Sequence, residues 1–94
     1  MEIIEEKRGD VKVVALRGRL DSNTSPVLEK RIQTILEQGE NRLVFDFSEL
    51  IYISSLGLRV LIMAAKSMQK INGKLTIARR IPAWVRTENS NDAK

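Results

Sequence analysis

Residues 43–47, Leu43-Val44-Phe45-Asp46-Phe47, form an almost unbroken apolar run rich in β-forming side chains. Alternation would mark a strand with one wet face, but this run has none. It reads as a strand buried on both faces, which requires a sheet around it and cover on each side. Six residues later the pattern changes. Leu58, Leu61, Ile62, Ala65 and Met68 recur at helical spacing, a stripe that can pack on the sheet. Between strand and helix stand two adjacent hydroxyls, Ser54 and Ser55. One of them sits at the helix start, where a hydroxyl caps orphan N–H groups. A helix N-terminus also favours negative charge. A serine there serves as a plain cap, or as a phosphate acceptor whose added charge the helix end tolerates.

The remaining elements follow in order. Residues 2–8 and 11–17 read as two strands joined by the turn Gly9-Asp10, hence a hairpin. Residues 18–24 form a polar loop into a helix with Thr24 or Ser25 as cap and Pro26 in the first turn. Leu28, Ile32, Ile35 and Leu36 make its buried stripe, with Val27 beside it, and Gly39 stops it after Gln38. The strand of residues 42–47 then pairs in parallel across this crossover. Residues 48–52 read as a short connection, partly extended. The second helix spans about residues 55–69, Asn72-Gly73 turns the chain, and residues 74–78 alternate as a last strand. Gly57, in the second helix's first turn, costs up to ~1 kcal/mol relative to alanine. It marks a close backbone approach or is simply tolerated.

Several function classes fall away on composition. The chain has no cysteine and no histidine, which excludes disulfides, zinc–thiolate sites, histidine bases and Ser-His-Asp triads within it. No pair of carboxylates is spaced for acid–base catalysis, and no glycine-rich phosphate loop is present. No metal or cofactor is expected. No run of ~18 apolar residues predicts a membrane span. The segment of residues 1–6 lacks the basic-then-apolar order of a signal peptide, so a cytoplasmic location is expected. The net charge is +4, and it is segregated: no acidic residue occurs between Leu50 and Thr87, while Arg59, Lys66, Lys70, Lys74, Arg79, Arg80 and Arg86 do. This is a solvated basic face, or a surface for an acidic partner or nucleic acid. Only Tyr52 and Trp84 could stack bases near it, which makes nucleic acid the weaker choice.

Three stretches together carry a family resemblance. Gly18-Arg19-Leu20-Asp21-Ser22-Asn23-Thr24 resembles the G-x-[LI]-D loop of STAS domains. Leu43-Val44-Phe45-Asp46-Phe47-Ser48-Glu49-Leu50 resembles their hydrophobic strand ending D-[LF]-S-x-[LV]. Tyr52-Ile53-Ser54-Ser55-Leu56-Gly57-Leu58-Arg59-Val60-Leu61 resembles their phosphoacceptor segment. Over about residues 2–80 the chain is similar to the bacterial anti-sigma factor antagonists (anti-anti-sigma factors). The resemblance implies an α/β STAS fold: a mixed sheet of about four strands with helices mainly on one face. The domain is expected over residues 1–86, with a polar, disordered tail over 87–94.

The same resemblance implies a function. The unphosphorylated protein would bind an anti-sigma factor that is also a serine kinase, and so release a sigma factor. Phosphorylation would break the complex and a serine phosphatase would restore it. The chain would be a kinase substrate, not an enzyme. The family acceptor lies two residues before the glycine, which is Ser55 here, with Ser54 as the alternative. Asp21, Ser22, Asn23, Thr24, Ser54, Leu56, Gly57 and Arg59 would form the partner-binding surface. Asp21 would orient the acceptor or contact the kinase, or be an ordinary turn aspartate. Leu56 stands where the family usually has a small residue, and it either hinders docking or packs into the partner. Other roles open to such a module are a stressosome-type scaffold or a lipid-transport assembly. Family members continue with a further amphipathic helix, of which Ile81-Pro82-Ala83-Trp84-Val85-Arg86 resembles only the start. A shortened or missing C-terminal helix is therefore expected, with either a homodimer burying Trp84 or a monomer whose Trp84-Val85 folds back.

Overall fold

The structure, a computed structural model, describes residues 1–78. Six elements follow one another: β1 (Glu2–Arg8), β2 (Val11–Leu20), α1 (Ser25–Glu37), β3 (Arg42–Ile53), α2 (Ser55–Lys70) and β4 (Lys74–Ala78). The four strands lie in the sheet in chain order. β1 runs antiparallel to β2, and β3 and β4 follow in parallel. The hairpin, the parallel crossover from β2 to β3 and the mixed four-stranded sheet agree with the sequence expectations, and a second parallel crossover joins β3 to β4. Gly9 opens the hairpin turn at φ 63°, and Gly39 ends α1 at φ 86°, conformations that a side chain would strain.

The run at residues 43–47 is central, as its composition demands. Leu43 and Phe45 join Val14, Leu16, Leu28 and Ile35 under the helices. Val44 points the other way and forms a second buried cluster with Val11 and Val13. Successive strand residues face opposite sides of a sheet, so burial at 43, 44 and 45 together is burial on both faces. Residues from α1 and α2 share one core cluster, which places both helices on the same face.

Three sequence expectations need correction. β2 runs on to Leu20 rather than ending at Arg17: Gly18, at φ 98°, keeps its place in the ladder, and β3 takes up the register shifts with extra residues opposite Leu16 and between Leu50 and Tyr52. β3 likewise continues to Ile53: residues 48–53 pair with the extended end of β2 instead of connecting. The buried stripe of α2 is Gly57, Val60, Leu61, Ala64 and Met68. Leu61 and Met68 were expected there, but Leu58 and Ile62 are 50% and 51% exposed, and Ala65 is only half-buried. In α1 the expected stripe holds, with Leu36 half-buried and Val27 exposed. The expectations for the C-terminal helix, the Trp84 contact and the tail lie outside the described residues.

Candidate functional site

The parallel pairing of β2 with β3 sets Leu20 opposite Ile53. The loop after β2 and the two serines after β3 therefore leave the sheet at the same edge. The Ser54 N–H donates to the Leu20 carbonyl at 2.8 Å, tying the two exits together. Arg19 and Tyr52, paired one step back, stack with the guanidinium 4.2 Å from the ring centroid.

Ser54 and Ser55 divide the work of the helix start. Ser54 is the N-cap: its backbone is extended and its Oγ accepts the Gly57 N–H at 3.1 Å. Ser55 is the first helical residue, and it is exposed. Its hydroxyl makes no hydrogen bond among the described residues. The choice of cap left open by the sequence thus falls on Ser54. Gly57 is buried, and a Cβ there would lie 2.7 Å from Leu20 Cγ and 3.0 Å from the Leu20 carbonyl oxygen. Close approach, rather than tolerance, explains this glycine.

Asp21 is the organiser of its own turn. Its Oδ1 accepts the Asn23 N–H at 3.0 Å and the Thr24 N–H at 3.1 Å. The bond from the Thr24 backbone is the main cause that holds its carboxyl below the ordinary carboxylate range. Partial burial opposes that shift, while Asn23, the Thr24 hydroxyl and the Arg19 charge add to it. The side chain makes no hydrogen bond to Ser54 or Ser55. Thr24 precedes α1 but does not cap it with its side chain. Its hydroxyl instead accepts the Asp21 N–H and donates to the Arg19 carbonyl, each at 2.9 Å. Ser25, buried at 2% exposure, donates through Oγ to the Asp21 carbonyl at 2.6 Å. Ser22 and Asn23 are left exposed at the tip.

Leu56 and Arg59, both exposed, line a cavity of about 210 Å³ with Ser25, Pro26, Val60 and Met63 at the N-terminal turns of the two helices. Glu29 borders the same space. The structure thus gathers the predicted residues at one edge, except that Gly57 lies beneath the surface rather than on it. Sequence reasoning places Leu20 in the G-x-[LI]-D loop and Ser25 as an alternative cap but gives neither a part in the site; both lie buried and shape this edge from below. Among the described residues no cluster of acidic or other ligating side chains could hold a metal. No described helix is long and apolar enough to cross a membrane.

The STAS domain profile matches residues 2–88. The chain belongs to the STAS domain family. A Bordetella bronchiseptica relative of this STAS domain, BtrV, is named as an anti-sigma factor antagonist; it is 32% identical over 82 residues, which cover 87% of this chain and 71% of BtrV. A crystal structure of an anti-sigma factor antagonist from Mycobacterium paratuberculosis superposes with TM-score 0.73 at 28% identity, over 82% of this chain and 66% of that one. The unphosphorylated form of the antagonist SpoIIAA superposes with TM-score 0.74 over 98% of this chain and 94% of its own, and its 17% identity makes it a likeness of fold.

Proposed function

We propose that this STAS domain is an anti-sigma factor antagonist that works in the cytoplasm and is switched by phosphorylation of Ser55. Its partner on this reading is an anti-sigma factor with serine kinase activity, and a serine phosphatase resets it. The chain is the substrate of that kinase and carries out no catalysis itself. The observation that carries the reading is the split between the serines: the cap bond belongs to Ser54, and the exposed Ser55 hydroxyl has no hydrogen-bond partner among the described residues, which leaves it open to modification. Phosphate adds about −1.5 to −2 charges at neutral pH. The helix N-terminus accommodates that charge in the free domain. In a complex the same charge must be desolvated against the partner, so binding is lost while the fold is kept.

Asp21, Ser22, Asn23 and Thr24 border Ser55 on this reading, with Leu56 and Arg59 completing the contact surface. Asp21 acts by holding the loop's shape. The test is incubation with the cognate kinase and ATP, followed by site mapping and calorimetric binding. Wild type should take one phosphate at Ser55 and release the partner, and Ser55→Ala should bind it permanently. Stoichiometric phosphorylation and release of Ser55→Ala would move the acceptor elsewhere, with Ser54 next in line.

A further inference from the structure

Helix α2 turns a second apolar row away from the core. Leu58, Ile62 and Ala65 follow at helical spacing, and Leu58 and Ile62 keep about half their surface exposed. One residue further round the helix, Arg59, Met63, Lys66 and Lys70 repeat that spacing, with Met63 44% exposed. The ion pairs among the described residues join the first three strands, α1 and the neighbouring turns. None includes a residue of α2, so among the described residues Arg59, Lys66 and Lys70 have no ion-pair partner. Residues 51–78 contain no acid at all. Glu29 borders the same cavity as Arg59 but forms no ion pair with it. Between the helices a further cavity of about 50 Å³, lined by Ile32, Leu36, Val60, Met63 and Ala64, is open beside the ridge.

We infer that this ridge docks an amphipathic helix of a partner protein whose own apolar row is flanked by aspartate or glutamate. The inference adds to the proposed role by giving the partner its chemistry, and it rests on that role only in taking a protein as the occupant. Arg59 to Lys70 spans about 17 Å along the axis, three turns, which a partner helix of similar length matches. Opposite charge along the apolar row fixes register and speeds encounter. A second copy of the same face would set like charges against each other. A bilayer gains little from a single half-covered row. Nucleic acid finds no aromatic ring on α2 to stack upon.

The probes are two synthetic helical peptides with the same leucine row, one flanked by glutamate and one by lysine, and vesicles containing phosphatidylserine. Each is titrated into the ¹⁵N-labelled full chain. The glutamate peptide should shift the amides of residues 58–70, and added salt should weaken it. Lys66→Glu/Lys70→Glu should weaken it about tenfold, as two exposed charge pairs turn from attraction to repulsion, and should improve the lysine peptide. Unchanged melting of the variant shows that it folds. Equal binding of both peptides, shifts mapped elsewhere, self-association through the same residues, or binding to vesicles alone would each overturn the inference. Peptide binding without any binding of an anti-sigma factor would reject the proposed role and support the ridge. Anti-sigma factor binding without a response to the glutamate peptide would do the reverse.

Discussion

Replacing Gly57 with alanine tests how closely α2 sits on the end of β2. The added methyl would stand 2.7 Å from Leu20 Cγ and 2.9 Å from Leu20 Cδ2. The first is about 0.8 Å inside the optimal carbon separation of roughly 3.5 Å. Leu20 is fully buried and has no room to swing away. Its carbonyl, 3.0 Å from the new atom, is also the acceptor of the Ser54 N–H, so retreat loosens the helix cap. Overpacking of this kind costs about 1–3 kcal/mol, and strain on the cap bond adds roughly 0.5–1 kcal/mol. Helix propensity returns at most about 1 kcal/mol. With the full propensity return the net expectation is a loss of about 0.5–3 kcal/mol. At about 4–8 °C per kcal/mol for a domain of this size, Tm falls by roughly 2–24 °C. Calorimetry of Gly57→Ala, Leu20→Ala and the double variant should show the alanines to be less damaging together than their sum. A single variant as stable as wild type would refute the reasoning, because propensity alone would then govern the site.

The other expectations concern the same edge. Ser54→Ala should cost about 1 kcal/mol, the usual size of a lost cap, whereas Ser55→Ala should stay within about 0.5 kcal/mol of wild type; chemical denaturation separates them. Ser55→Asp should leave Tm nearly unchanged and weaken calorimetric affinity for the anti-sigma factor at least severalfold; undiminished affinity would argue against a charge switch at this position. Asp21→Ala should melt below wild type at neutral pH. The depressed Asp21 carboxyl contributes its stability above the unfolded carboxylate range and loses it as pH falls through the lower folded value, so the gap should close in acid; a gap independent of pH would assign the effect to packing.

Strands, helices and their order were legible because apolar period and turn residues agree over most of the chain. The exceptions have physical causes. Gly18 and Arg19 look like loop residues, and only bulges in β3 let β2 continue through them. The α2 stripe was misplaced because Leu56, Leu58, Val60, Leu61, Ile62 and Met63 make the helix apolar nearly all round, so period alone cannot select the buried face. What selects it is Gly57, whose missing side chain fits over Leu20. The serines were legible as a capping pair, but their division of labour was not. It depends on Ser54 being drawn to the Leu20 carbonyl, a contact across two strands that neighbouring residues cannot announce. Asp21 was recognisable as a turn former, and its hydrogen bonds follow from residue type and local spacing.

The coincidence of sheet order with chain order bears on how the molecule is made. Each new strand joins the free margin left by the one before it, so no gap in the sheet has to be held open for a later segment. During synthesis from the N-terminus, β1 and β2 can close locally before α1 emerges, and β3 can dock on a margin already formed. The Leu20–Ser54 tie needs only β2, β3 and the first turn of α2. β4 pairs only with residues 42–46 of β3, so the edge that carries Ser54 and Ser55 owes it no hydrogen bond and can close before β4 docks.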